Sequence, residues 1–247
     1  MLVAPDSTIR VAASEGITLM LDAASVATAT LKPRSGEAQE LTVEQNTVEL
    51  PALSAPDLAT IVWGGEFTTY VEVVSRHYFP LDALRRYGDG QDDFDVYTDD
   101  ILCQARQAAT EVFERNAHRS FVERIGRTKD YGHGPYLMLE DGDVSEVLTE
   151  GYELVSDCQV VRLPGTKTPG WVEYVHGLKG VPMQVSRAVL ELTAYMLRPS
   201  NRPLGATGES TDAGFIRFTT AGQDGFTDVP EVNAAISQFG RGPSLVW

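Results

Sequence analysis

Four histidines, two cysteines and scattered carboxylates are the residues of this chain with types suited to chemistry. Nucleophilic catalysis needs a base within reach of the nucleophile and a third group to orient that base. His77, His118, His133 and His176 stand in no such motif. His118, in RNAHRS, follows a helical pattern and suits the carbonyl end of that helix as a cation. His133 lies in the turn-like YGHGP, and His176 ends a strand pattern beside Gly177. A Cys/His metal centre wants paired ligands at short spacing, whereas Cys103 and Cys158 stand alone and read as buried thiols. The acidic run GDGQDDFDVYTDD invites calcium, but a loop counted from Asp89 has Gln91 at its third position and Phe94 where glycine must turn the chain. GDG, GHG, GLKG and GQDG fit neither a P-loop nor a dinucleotide fingerprint. Glu140 and Asp141 form an acidic pair of the kind used at glycosidic bonds, but they fall at an expected hairpin turn, where solvation explains them. The expectation is no catalytic residue, no metal ligand and no cofactor.

The elements that would carry any site divide the chain in two. Its 247 residues, 43% hydrophobic and 22% charged, suffice for two globular domains. The net charge of −15 opposes a sequence-independent grip on nucleic-acid phosphates. MLVAPDSTIR has no basic stretch ahead of an apolar run, and no apolar run reaches membrane-spanning length, so synthesis and assembly in a cytoplasm without a membrane partner are expected.

From Thr8 to about Ser75 the pattern has period two in GITLMLD, SVATATL, QELTVEQ, LATIVWG and FTTYVEVV, punctuated by Pro33, Gly36, Pro51, Pro56 and Gly64-Gly65. In the last run Phe67, Thr69, Val71 and Val73 share one face, and Thr68, Tyr70, Glu72 and Val74 the other, as in a sheet with one buried side. Six or seven such strands predict an immunoglobulin-like β-sandwich over residues 1–76. FPLDALRRY, good for one or two helical turns, and the acidic run then form a linker over 77–98.

Residues 99–247 read as a mainly helical domain, so the fold class is α+β with two domains. Asp99 or Asp100 is the expected N-cap of a helix with the stripe Ile101, Ala105, Ala108, Ala109, Val112 and Phe113. A small antiparallel sheet is inserted from SFVERIG through PYLMLEDGDVSEVLT and YELVSDCQVVRL to GWVEYVHG, with a hairpin at Asp141-Gly142. Pro182 opens and Pro199 stops a helix whose stripe is Val185, Ala188, Val189, Leu192 and Met196. Leu190, Ala194 and Leu197 widen its apolar arc, and Arg187 and Glu191 are the charges on it between Pro182 and Leu197. A polar loop, the short strand GFIRFTT, and a last helix with Asp228 and Glu231 as capping pair and Val232, Ala235, Ile236 and Phe239 on one face lead to the apolar tip Leu245, Val246 and Trp247.

This order of elements, carried by ILCQARQAATEVFERNAHRSFVER, VEYVHGLKGVPMQVSRAVLELTAYML and IRFTTAGQDGFTDVPEVNAAISQFGR, resembles the head-to-tail adaptor, or connector, proteins of long-tailed (siphovirus-type) bacteriophages over about Asp95 to Trp247. The resemblance implies a non-enzymatic structural protein of the virion neck. It implies a dodecameric ring of identical copies beneath the portal protein, meeting a head-closure (stopper) or other neck-tail protein and lining a channel for double-stranded DNA without binding it specifically. It further implies portal contacts at Arg241, Leu245, Val246 and Trp247, and contacts between copies along Arg187, Leu190, Glu191, Ala194 and Leu197. The residues before 76 depart from the smaller adaptors. A competing reading is a ligand-binding sandwich with Trp63, Tyr70 and Tyr78 as an aromatic platform, or a tail-completion component, carried on a helical stalk.

Overall fold

A computed structural model of the chain describes every residue except 14–16, 23–24, 88–93, 168–169, 199–207, 212–213, 218–225 and 242–247. It separates into two compact units, each discontinuous in sequence: Met1–His77 with Arg119–Val181, and Tyr78–His118 with Pro182–Trp247. Residues 119–181, expected as an insertion within the helical part, thus group with the N-terminal strands.

The first unit opens with β1 (Leu2–Val3), β2 (Thr8–Ala12), β3 (Thr18–Leu21), β4 (Ala29–Pro33), β5 (Gln39–Leu41), β6 (Thr47–Glu49), β7 (Asp57–Trp63) and β8 (Phe67–Val74). They form a five-stranded sheet ordered β2-β8-β7-β4-β5 and a three-stranded sheet ordered β1-β3-β6. β2 runs parallel to β8, and β1 parallel to β3; the other pairs are antiparallel. Val3, Leu19, Leu21 and Val48 of the smaller sheet share one core with Ile9, Val11, Leu31, Ile61, Trp63, Val71 and Val73 of the larger. Alternation in β7 follows directly from DLATIVW, whose Ala59, Ile61 and Trp63 face that core.

One expectation for β8 fails. Glu72 and Val74 belong to its nominal outer face yet are buried. Arg124, more than fifty residues later, hydrogen-bonds Glu72, so the second half of this unit covers the far end of that face. That half contains β9 (Arg124–Asp130), β10 (Tyr136–Met138), β11 (Val144–Val147), β12 (Tyr152–Ser156), β13 (Gln159–Arg162) and β14 (Gly170–His176). They make two antiparallel three-stranded sheets, β10-β13-β12 and β11-β14-β9, instead of the single sheet expected. The hairpin expected at Asp141-Gly142 is absent, because β10 pairs with β13 and β11 with β14. Asp141 is drawn away to accept a 2.8 Å hydrogen bond from the Tyr174 hydroxyl. Leu139, Val144, Tyr152, Val160, Val172 and Tyr174 form the core of this half.

The second unit holds α1 (Leu81–Tyr87), α2 (Asp99–Ala117), α3 (Met183–Leu197), a two-stranded antiparallel pair of β15 (Gly208–Thr211) and β16 (Gly214–Arg217), and α4 (Pro230–Phe239). A helical layer is what the alanine-rich α2 pattern predicts, since small side chains let helices approach closely. The buried face of α2 is Leu102, Arg106, Ala109, Thr110, Phe113, Glu114 and Ala117. It is rotated from the expected stripe, with Ile101 and Ala108 exposed. Three polar residues lie inside because each finds a partner: Arg106 donates to the Phe79 carbonyl at 3.3 Å, Thr110 to the Arg106 carbonyl at 2.8 Å, and Glu114 accepts from the Tyr78 hydroxyl at 2.7 Å. Thr98, not an aspartate, is the N-cap residue of α2, and no side chain caps it. At α4 the Asp228/Glu231 pair is likewise not the cap: Val229 is the N-cap residue, and Asn233 folds back on Thr227, accepting from its amide at 2.7 Å and donating to its carbonyl at 2.8 Å.

Candidate functional site

His118 caps α2 in a left-handed conformation with φ 49°, and its amide donates to the Glu114 carbonyl. His133 stacks beside Tyr131 with ring centroids 6.2 Å apart. His176 is buried at the end of β14, its Nε2 3.7 Å from Asp141 Oδ2. Cys103 and Cys158 form no disulfide and are half-buried, not buried as expected: Cys158 falls in the turn between β12 and β13, and Cys103 lies on α2 next to the buried Leu102, 3.9 Å from an Arg106 nitrogen. Among the described residues no three of His, Cys, Asp and Glu gather to hold a metal ion. The described helices include none long and apolar enough to cross a membrane.

The candidate site is the outward side of α3. Pro182 is the N-cap residue, with its fixed φ and missing amide placed where helices leave donors unused, and Arg198 is the C-cap residue. Val185, Ala188, Val189, Leu192 and Thr193 face inward as the core seam of the second unit. The Thr193 hydroxyl is satisfied by the Val189 carbonyl at 2.7 Å. Ser186 donates to the Tyr78 carbonyl at 2.8 Å, and the Tyr97 hydroxyl to the Leu197 carbonyl at 3.0 Å, so both ends of α3 are tied down within this unit.

Of the residues expected to meet neighbouring copies, Arg187 is exposed and Glu191 and Leu197 are half-buried. Leu190, at 8% exposure, and Ala194, at 0%, are turned into the unit's own core. The wide apolar arc seen in the sequence is therefore used partly inside the unit. Three residues that the arc overlooked are exposed instead: Met183 at 86%, Gln184 and Tyr195. Met196, expected in the core seam, is exposed as well, because it lies in the last turn, where fewer neighbours flank the helix. Burial raises the pKa of the nearby Tyr87 phenol and Glu191 adds to that rise, while Arg198 and Arg187 offset part of it.

Arg241 follows α4 and is half-buried; its amide donates to the Ala117 carbonyl at 2.8 Å, so the chain leaves α4 pinned against the end of α2. Leu245, Val246 and Trp247 lie outside the described residues. The alternative aromatic platform does not assemble. Trp63 is fully buried, with its indole donating to Thr69 at 3.0 Å, and Tyr78 is buried against Glu114, which leaves Tyr70 alone exposed.

The first unit holds its polar groups in closed sets. Glu72 accepts from Arg10 at 2.7 Å and from Arg124 at 2.5 Å. Burial pulls its pKa up, but the two guanidiniums outweigh that and hold it below the usual carboxylate range. Asp130 shows the same balance: burial raises its pKa, and hydrogen bonds from the Gly132 amide, the Tyr152 hydroxyl and Arg162 bring it lower than normal. These sets are structural, since both oxygens of each carboxylate accept hydrogen bonds within the fold.

No protein-family model and no curated protein matches the chain. Among solved structures it is similar to a chain of the native gene transfer agent (GTA) virion, 18% identical over 69% of this chain and 93% of that one, with a TM-score of 0.42. It is also similar to chains of the neck of the native GTA particle computed with C12 symmetry, at 18% identity, 69% and 92% coverage and a TM-score of 0.41, and of the neck of the empty particle computed with C6 symmetry, at 19%, 52% and 83%, and 0.37. Likeness of this degree assigns no role to a residue of this chain.

Proposed function

We propose that this protein is a structural head-to-tail adaptor of a phage-like particle, forming a ring beneath the portal that joins the DNA-filled head to the tail. The single observation that carries the reading is α3: a helix between two prolines with Arg187 and Glu191 as its charges and Met183, Tyr195 and Met196 exposed, in a chain of net charge −15. Exposed apolar side chains along a rigid, well-anchored helix are the composition of a surface meant for another protein. The order of elements around α3, which resembles the adaptors of long-tailed phages, supports a partner that is another copy of the same chain.

In a closed ring each copy offers one surface and receives a different one. Met183, Gln184, Arg187, Glu191, Tyr195 and Leu197 would make the surface offered by α3, with Leu190 and Ala194 supporting it from within. Arg241, Leu245, Val246 and Trp247 would reach the portal, Trp247 being the type of large aromatic that dominates small interfaces. The opposite side of the ring would meet the head-closure or other neck-tail protein. Double-stranded DNA would pass through an acidic ring that repels its phosphates, a mechanism of passage without grip. In this reading the residues before 76 are an immunoglobulin-like appendage of the ring, the neck of the particle is its location, and assembly takes place in the host cytoplasm.

The test joins purified DNA-filled heads to tails in the presence of the full chain or of a chain ending at Gly240. The reading expects the full chain to support joining and the shortened chain, folded to the same extent by circular dichroism, to fail. Normal joining by the shortened chain would contradict it, and incorporation along the tail tube instead of at the head would favour a tail component.

A further inference from the structure

The outer face of β9 and β14 carries side chains for which the adaptor reading has no use. Arg127, Lys129 and Tyr131 alternate outward along and just past β9, while Thr128 and Asp130 turn inward. Facing them on β14, Glu173 is in register with Arg127 and Trp171 with Lys129. Lys129 Nζ lies 5.2 Å from the Tyr131 ring centroid and 6.0 Å from that of Trp171. Those rings are 64% and 58% exposed, a poor use of aromatic area unless something covers it. Glu173 accepts from Arg127 at 2.8 Å and also from Arg34, and Lys32, on β4 two residues before Arg34, is exposed. Two guanidiniums thus hold one carboxylate, with Lys129 beside the two exposed rings, in a chain with 20 Lys and Arg against 35 Asp and Glu.

We propose that this basic and aromatic face binds the acidic segment 89–100 of a second copy of the chain. The argument is charge complementarity, and it rests on the ring reading. The segment DGQDDFDVYTDD holds six aspartates, no cation and the apolar Phe94, Val96 and Tyr97. Asp95 and Asp99, though hydrogen-bonded by Arg85, keep about three-quarters of their side chains exposed. The other acidic run is already engaged: Asp141 accepts from Tyr174, and Asp143 from Arg119 at 2.7 and 3.1 Å. A nucleic-acid backbone is the poorer occupant. It would face the charge of the whole chain, and a phosphate track wants a row of uncommitted cations, whereas Arg34 and Arg127 are already forked onto Glu173. Discrete carboxylates beside Lys129, with Phe94 or Tyr97 against Trp171, match what is present.

The experiment places a photoreactive benzoyl-phenylalanine at Tyr131 (Tyr131→benzoyl-phenylalanine) in isotopically heavy full-length chain. That chain is mixed with light chain and assembled on portal-bearing heads, and cross-linked peptides are mapped by mass spectrometry. Heavy-to-light links from position 131 to residues 88–100 are expected. Lys129→Glu with Trp171→Ala should weaken incorporation by at least roughly tenfold. Asp92→Lys with Asp93→Lys should do the same, and combining Lys129→Glu with Asp92→Lys should recover part of the loss, which a merely misfolded variant cannot do. Links confined to one chain, links to other segments, links to DNA, or normal incorporation of the reversed variants would each overturn the proposal while rings still form. Failure of the unsubstituted chain to join the heads would remove the ring reading and this proposal with it.

Discussion

Glu72 sits between Arg10 and Arg124, one of the residues through which the two halves of the first unit are joined. Replacing it with glutamine leaves the buried Arg10 and the half-buried Arg124 short of their counter-charge, a loss of about 3–5 kcal/mol for the broken buried pair with Arg10. Chemical denaturation at neutral pH should show it. The pH dependence has a definite sign. Because the folded-state pKa of Glu72 is lowered from 4.5, its stabilisation is fully present above that value and is lost as pH falls through the lower folded-state value. Wild-type protein and Glu72→Gln should therefore differ most near neutrality, and converge as the pH falls through the lowered folded-state pKa of Glu72. Gly126 is the second sensitive residue. A Cβ there would stand 2.5 Å from the Tyr174 ring and 2.7 Å from Asp141 Oδ2, so Gly126→Ala should destabilise by about 1–3 kcal/mol in urea titration. Neither role was legible in the sequence. Glu72 alternates as an outer-face residue of a strand, and what buries it arrives fifty residues later; Gly126 is an ordinary glycine until Tyr174 is laid across it.

Among the elements, β7, β8, α3 and α4 follow from their own patterns, since a period of two or 3.6 is set by local geometry. Pairing is not. DVSEVLT and PYLMLE flank a strong turn dipeptide, yet their partners are β14 and β13, because register is chosen by the core that each face must fill. The α2 stripe went astray for a related reason. Arg106, Thr110 and Glu114 are polar by type but buried by partnership with Phe79, the helix backbone and Tyr78. On α3 the sequence marked the helix, its two prolines and its charge pair, and it could not separate Leu190 and Ala194, which serve the core, from Met183 and Tyr195, which reach the surface. Two substitutions separate these roles. Leu192→Ala should cost about 2–5 kcal/mol of stability through the cavity it leaves. Arg187→Glu, on the exposed side, should change stability by no more than about 0.5 kcal/mol and yet impair ring formation, read by electron microscopy of assembled necks.

At the scale of the whole molecule, composition argued against a disulfide scaffold and a phosphate-gripping protein, but it could not group residues 119–181 with the N-terminal strands, since that grouping is a matter of contacts between distant segments. The function proposed for the chain is that of a ring component between portal and tail. Electron microscopy of purified particles tests it most directly. The account predicts density for this chain as a ring under the portal, with the exposed side of α3 against the adjoining copy. Particles that lack the chain altogether, or carry it only along the tail, would contradict the account.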